Sequence, residues 1–295
     1  MAAKTIGLDQ GDKAEARVFL AGLCVFLALM LGFPTLANLW YSFSDVSFQN
    51  LASTDFVGLR HYADAVANPR MWTALGFSVR FALLTTAIEV GIGLVLVFVL
   101  HPLLTKRPWL TGILMLPMMV SPALMGVMYR LILNEFTGLV PGYLELVGIS
   151  MNFLGRANVY ATLVAIEVLQ WTPFAFLILL TARQGVAYEL EEAAAVDGAT
   201  GLRLFLHVIL PIMLPAIAIV AFIRFIDGFR VFDHIFVLTG GGPGTQTTSI
   251  SIHIYKLFFV QNRLGEAVAL SVMLLVAALA LLYFGLKLVV RRTAR

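Results

Sequence analysis

Residues Glu189–Pro211 read ELEEAAAVDGATGLRLFLHVILP and form a polar interruption in a chain that is apolar on either side. Strong helix formers fill Tyr188–Val196, which predicts a short helix there. Gly198 follows an aspartate and predicts a turn that ends this helix in a left-handed conformation. Thr200 is placed to cap a second helix, whose apolar face returns to the bilayer. The pattern predicts a short helix presented to water, or alternatively an ordinary re-entry loop.

The composition around this interruption is that of a membrane protein. The chain has 295 residues, of which 60% are hydrophobic and 13% are charged, whereas soluble domains contain about 25% charged residues. Six apolar segments reach the roughly 20 residues that a spanning helix needs, and backbone groups in lipid must bond within such helices. We therefore predict an all-α, polytopic protein with six spans: Val18–Tyr41, Leu75–Leu100, Leu110–Leu133, Tyr160–Ala182, Val208–Asp227 and Ala267–Val290.

Basic residues in short connections predict the orientation of these spans. Lys106 and Arg107 lie between the second and third spans, and three arginines end the chain. Such residues favour the cytoplasm, so both termini and the loop 188–211 are expected there. We interpret the tail as a topological signal and not as a nucleic-acid-binding segment. The predicted organisation is a cytoplasmic segment 1–17, a single six-helix domain 18–290 whose first helix is retained, and a basic tail 291–295.

Charged residues inside the predicted spans are costly and usually face a partner or a cavity. The candidates are Arg80, Glu89, Glu167, Arg224 and Asp227. Arg80 lies near the outer end of its span and is able to reach water, so it is given little weight. Arg224 and Asp227 are three residues apart, so on a helix they are expected to neutralise each other. Arg230 and Asp233 repeat this spacing. Internal ion pairing and the lining of a translocation path both remain open.

The fourth span carries a second polar group, Glu167, Gln170, Trp171 and Thr172, next to a helix break expected at Pro173. Amide and carboxylate groups beside an indole ring suit a sugar-like solute, because hydroxyls bond to the polar groups and a ring face meets the indole. The alternative is hydrogen bonding between helices.

Sequence patterns for catalysis are missing. No G-x-x-x-x-G-K-[ST] phosphate loop or H-E-x-x-H zinc motif occurs in the sequence. The glycine-rich segment 240–244 lacks the lysine and predicts a turn. The single cysteine, Cys24, excludes an intrachain disulfide, and the five histidines form no plausible metal pair. We therefore expect neither an enzyme nor a metal site.

The interruption also carries a specific resemblance. Glu192-Ala193-Ala194, Gly198, Val208 and Leu210-Pro211 have the spacing of the EAA motif of ABC-importer permeases, EAA-x3-G-x9-I-x-LP, with valine in place of isoleucine. A second stretch, residues 224–233 and 237–243, is similar to binding-protein-dependent carbohydrate permeases of the maltose and glycerol-3-phosphate type.

This resemblance implies the type I permease fold in a bacterial inner membrane. It implies a second permease subunit, usually a paralogue, two ATP-binding subunits that hold ATP and Mg²⁺, and an extracytoplasmic binding protein that delivers a carbohydrate-like solute. No cofactor is then expected on this chain. Coupling to the ATPases is assigned to Glu192, Ala193, Ala194, Asp197, Gly198, Leu210 and Pro211, and the solute path to Gln170, Trp171, Asp227 and Arg230.

In this interpretation Glu192 contacts the ATPase, and Glu189 and Glu191 are expected only to cap and solvate the helix. A stand-alone secondary transporter or channel is the alternative of another class. Such proteins often carry inverted repeats with broken helices at matching positions, and the sequence shows no such pair.

Overall fold

The computed structural model describes residues 20–51 and 54–293, and within these ranges the regular secondary structure is helical except for one two-stranded pair. The predicted segment 1–17 and the last two residues of the predicted tail lie outside the described residues. The described residues divide into two compact units, one within 20–67 and 254–287 and the other within 68–253 and 288–293.

The first unit begins with α1, Leu20–Ser42, which contains a π-helical turn and confirms that the first predicted span is helical. Strands β1 (Ser44–Asp45) and β2 (Asp55–Phe56) pair antiparallel, and helix α2 covers Arg60–Ala67. The unit also contains most of the last helix, α13, which runs from Leu264 to Thr293 and therefore includes the start of the predicted tail.

The second unit contains helices α3 to α11 and residues 250–253 of α12. A 3₁₀ turn at 116–119 and a π turn at 205–209 adjoin α4 and α9, and a π turn at 256–260 in the first unit adjoins α12. The helices are α3 (Pro69–Lys106), α4 (Leu110–Leu114), α5 (Pro122–Ile132), α6 (Leu139–Leu146), α7 (Val159–Gln184), α8 (Tyr188–Val196), α9 (Gly201–Leu204), α10 (Leu210–Phe229), α11 (Asp233–Thr239) and α12 (Ile250–Tyr255).

Helix α3 is longer than the span predicted within it. Asn68 caps its N-terminus, because the side-chain Oδ1 accepts a hydrogen bond from the backbone N–H of Arg70 at 3.0 Å, and Pro69 occupies the first turn. Its 38 residues rise by about 57 Å at 1.5 Å per residue, well beyond the ~30 Å of a bilayer core. The helix therefore extends past the predicted span Leu75–Leu100 at both ends.

The third predicted span, Leu110–Leu133, is wrong as a single helix. The helical path stops after Leu114, continues as a 3₁₀ turn, and restarts at Pro122. Pro117 and Pro122 lack a backbone N–H, and each disfavours the helical conformation in the residue before it. Ser121 is accordingly extended, with ψ of 137°.

Four helical segments among the described residues are long and apolar enough to cross a membrane: Leu20–Ser42, Pro69–Lys106, Val159–Gln184 and Gly201–Thr239. The count of six spans stays a prediction. Helices α3, α7 and α10 pack closely, since a Cβ added to Gly93 would lie 3.3 Å from the backbone nitrogen of Phe176 and one added to Gly228 would lie 3.1 Å from the Cα atom of Ala82.

Two apolar clusters form the core of this unit. One packs α3, α7 and α10 around buried residues that include Val97, Phe176, Leu179 and Met213, and the other packs α3, α7 and α11 around Phe81, Leu163, Ile166 and Ile235. Glu89 of α3 and Glu167 of α7 lie where one cluster gives way to the other.

Candidate functional site

A buried ion cluster joins three helices. Arg224 of α10 donates to Glu89 of α3 through Nε (2.6 Å) and Nη2 (3.2 Å), and Nη2 also donates to Glu167 of α7 at 2.8 Å. The three side chains are 1%, 0% and 3% exposed. We call these three residues the Arg224 cluster. Charge-assisted, bidentate bonds of this kind fix the orientation of the helices as well as their separation.

Asp227 and Arg230 continue this network towards solvent. The Oδ2 atom of Asp227 lies 3.5 Å from Nη1 of Arg224, and its Oδ1 accepts from Nη2 of Arg230 at 3.1 Å. The predicted contact between Arg224 and Asp227 is therefore present but secondary to the contacts with the glutamates. The three-residue spacing of Arg230 and Asp233 gives no ion pair among the described residues, because α10 ends at Phe229 and Arg230 pairs with Asp227.

Trp171 lies one turn after Glu167 on α7, and its ring faces the guanidinium group, with Cζ of Arg224 4.6 Å from the ring centroid. This is a cation–π contact. Helix α7 runs unbroken through Pro173, so the helix break expected there is wrong. Neighbouring side chains and helices satisfy the groups that a proline frees in a membrane helix.

A cavity of about 220 Å³ opens beside the Arg224 cluster. Its wall consists of residues from α5, α7 and α10 to α11: Pro122, Glu167, Trp171, Asp227, Arg230, Val231, Phe232, Asp233 and His234. The wall thus combines three carboxylates, one arginine, a histidine and two aromatic rings. Glu167 Oε2 and His234 Nε2 are buried, lie 3.4 Å apart, and have no hydrogen-bond partner among the described residues.

Three of the four predicted solute-path residues, Trp171, Asp227 and Arg230, therefore meet around one cavity. Gln170 points elsewhere. It is fully buried, and its Nε2 donates to the carbonyl oxygen of Val120 at 2.8 Å. That carbonyl lies in the break before α5, where no helical partner is available. The position of Gln170 in the solute path stays a prediction.

The polar loop folds as its sequence predicts. Helix α8 covers Tyr188–Val196, and Gly198 follows in the left-handed region with φ of 79°. Thr200 is at the N-cap position of α9 in an extended conformation, but its side chain makes no capping hydrogen bond. A π turn then leads into α10, which begins at Leu210 and Pro211. The glycine-rich segment 240–244 is a turn, as predicted.

The three glutamates of α8 differ in their surroundings. Glu189 and Glu192 are exposed. Glu191 instead accepts two hydrogen bonds from Arg183, from Nη1 to Oε1 at 2.7 Å and from Nη2 to Oε2 at 2.8 Å. The expectation that Glu191 only solvates the helix is wrong. Helical periodicity does not predict this partner, because Arg183 and Glu191 lie on different helices.

Comparison with known proteins covers nearly the whole chain. Residues 23–295 match the family described as "Binding-protein-dependent transport system inner membrane component". The trehalose/maltose transport system permease protein MalF of Thermococcus litoralis is 31% identical over 276 residues, which cover 91% of this chain and 93% of the relative. The trehalose transport system permease protein SugA of Mycobacterium tuberculosis is 28% identical, with 95% and 91% covered.

The fold matches solved structures. A chain from the crystal structure of a bacterial ABC transporter involved in the import of the acidic polysaccharide alginate superposes with a TM-score of 0.80. The identity is 21%, and the match covers 94% of this chain and 95% of that one. A second structure of a bacterial alginate ABC transporter, in complex with an alginate pentasaccharide-bound periplasmic protein, superposes with a TM-score of 0.76 at 22% identity.

Proposed function

The chain belongs to the family of inner membrane components of binding-protein-dependent transport systems, and from this premise we propose that it is the permease subunit of an ATP-driven importer of a sugar or sugar-derived solute. The observation that carries the proposal is the loop 188–211. It folds into an exposed helix and a left-handed turn at the positions of the EAA motif, on a chain that contains no phosphate loop.

In this proposal the chain spans the inner membrane six times, with both termini and α8 in the cytoplasm. The segment around α4 and α5 and helix α13 add two crossings to the four apolar segments described above. Residues 1–17 and 291–295 flank the permease domain 18–290. A second permease subunit, a paralogue, completes the pore, and an extracytoplasmic binding protein delivers the solute.

Two ATP-binding subunits hold ATP and Mg²⁺ and receive the exposed face of α8. Glu192, Ala193 and Ala194 form the contact, Asp197 and Gly198 set the turn, and Leu210 and Pro211 connect the loop to α10. The exposure of Glu192 supports its role as the residue that pairs with a basic group of the partner.

The solute crosses through the cavity beside the Arg224 cluster. Both arginines are already engaged by carboxylates, Arg224 by two glutamates and Arg230 by Asp227. Because the wall carries more carboxylates than free cationic groups, it disfavours an anionic solute. A neutral, hydroxyl-rich solute fits better, since hydroxyls donate to the accessible carboxylates of Asp227 and Asp233, and the Trp171 ring offers an apolar face. We therefore propose a neutral sugar or polyol.

Reconstitution tests the function. The tagged chain is purified with its native partners, inserted into vesicles, and supplied with the binding protein loaded with radiolabelled neutral sugars or sugar phosphates. We expect ATP-dependent uptake of a neutral sugar, and loss of uptake in Glu192→Lys with the chain still inserted in the membrane. Normal uptake by Glu192→Lys with ATPases bound would refute the coupling role. ATP-independent uptake by this chain alone would refute the importer proposal in favour of a secondary transporter.

A further inference from the structure

We propose that the Arg183–Glu191 pair is the joint through which α8 moves α7, so that these two side chains are positioning residues for coupling. This inference rests on the proposed function, since it assumes that the ATPases move α8. It assigns the direct transmission from α8 to α7, which precedes α8 in the chain, and not to α10, which follows it.

The geometry of the pair makes it a rigid connection. Arg183 lies in the last turn of α7, and its side chain is 11% exposed, while that of Glu191 is 22% exposed. Two parallel hydrogen bonds join the planar guanidinium group to the planar carboxylate. Such a two-point contact restricts rotation as well as separation, which a single contact does not.

The covalent connection at the N-terminal end of α8, which leads back to α7, is also short. Only residues 185–187 separate α7 from α8, and Val186 among them is buried. The ion pair spans this connection from one helix to the other. A displacement of α8 therefore reaches the end of α7 through both the backbone and a side-chain bond.

The connection on the C-terminal side of α8 is longer, since residues 197–209 separate α8 from α10. Gly198 and Gly201 have φ of 79° and 53°, and a π turn at Phe205–Ile209 precedes α10. Glycine has the widest backbone freedom of any residue, so these two glycines loosen the direct backbone connection from α8 to α10, and no ion pair like that of Arg183 with Glu191 reinforces it among the described residues.

Helix α7 leads directly to the cavity. Glu167 and Trp171 precede Arg183 by 16 and 12 residues, so they lie about 24 Å and 18 Å along the same unbroken helix at 1.5 Å per residue. A tilt or shift imposed at Arg183 moves these two wall residues. The Arg183–Glu191 pair thus joins the surface that meets the ATPase to the wall that meets the solute.

The test measures ATP hydrolysis and solute uptake in the same vesicles, with the complete transporter and its loaded binding protein. Glu191→Gln and Arg183→Gln are expected to retain ATP hydrolysis but to lower the solute transported per ATP about fivefold or more, in the range of typical coupling effects between sites. Arg183→Lys keeps the charge without the two-point contact. Its ratio of solute transported to ATP hydrolysed should lie between those of the wild type and Arg183→Gln.

Two further variants separate a coupling role from a requirement for folding. The exchange variant Arg183→Glu/Glu191→Arg restores the ion pair and should recover most of the transport per ATP that either single change loses. Glu189→Gln alters an exposed glutamate on the same helix and should leave the ratio unchanged.

The outcomes are distinguishable. Absence of ATP-driven uptake by the wild-type assembly would overturn the proposed function and this inference with it. Normal uptake by the wild type with an unchanged transport-to-ATP ratio in Glu191→Gln and Arg183→Gln would overturn only the inference. Equal loss of uptake and hydrolysis in the single variants, without recovery in the exchange variant, would also overturn it.

Discussion

Replacing Arg224 with methionine tests how strongly the Arg224 cluster holds α3, α7 and α10 together. Methionine keeps an unbranched apolar side chain about as long as the aliphatic part of arginine but removes the guanidinium group that bonds to both glutamates. Glu89 and Glu167, 0% and 3% exposed, are then left without their cation. Removing one partner of a buried ion pair costs about 3–5 kcal/mol, and we expect the free energy of unfolding to fall by that amount.

The measurement is the melting temperature of the purified chain in detergent. At about 2 °C per kcal/mol for a large chain, Arg224→Met should melt roughly 6–10 °C below the wild type. Arg230→Gln is the matched control, because Arg230 makes a comparable bond to Asp227 with a side chain that is 73% exposed. Exposed pairs are worth about 0–1 kcal/mol, so this control should melt within about 2 °C of the wild type.

Glu89→Gln adds a third point to this series. The amide oxygen still accepts a hydrogen bond from Arg224, and one carboxylate, Glu167, remains to balance the charge. The loss should therefore fall between those of the other two variants. If Arg224→Met melts within 2 °C of the wild type, the cluster does not hold the three helices together and the reasoning is refuted.

Three further changes test the packing, the cavity and the turn. Gly228→Ala should destabilise the chain by about 1–2 kcal/mol, because the added Cβ would lie 3.1 Å from the Cα atom of Ala82; Gly91→Ala, with open space around it, should not lower the melting temperature. Trp171→Ala should raise the KM of uptake about fivefold, for an aromatic contact worth about 1 kcal/mol, and Trp171→Phe should raise it less. Gly198→Ala should destabilise the turn by about 1–2 kcal/mol, measured by melting, whereas Gly198→Asn should be milder.

The parts of the fold that the sequence predicts are those determined by neighbouring residues. Helix formers, an Asp-Gly turn and a glycine with positive φ lie within one short stretch, so α8 and its end at Gly198 follow from local preference. Long apolar segments likewise predict α1, α3 and α7, because each must satisfy its own backbone in lipid. The break before α5 was not predicted, although its local signal, Pro117 and Pro122 five residues apart, lies in the sequence.

The contacts of the charged residues depend on tertiary structure and could not be predicted in this way. Glu89 and Arg224 are 135 residues apart, and their contact requires the rotation of two helices about their axes. Sequence spacing instead favours the nearest opposite charge, which is why Asp227 was expected as the main partner of Arg224. The Arg183–Glu191 pair similarly crosses from one helix to another, where helical periodicity carries no information.

The Arg224 cluster and the Arg183–Glu191 pair both act on α7, one near its middle and one at its end. Apolar side chains give helices in lipid little driving force to associate, because the lipid tails are equally apolar. Ionic contacts among α3, α7 and α10 therefore hold these helices as one group, and a movement applied to α7 must move the other two or break buried ion pairs. Since breaking such pairs requires several kcal/mol, moving the three helices together is energetically favoured over separating them. An α8 that acts on α7 alone would then shift the part of the cavity wall that α7 and α10 supply, so a contact at the end of one helix is sufficient to move it.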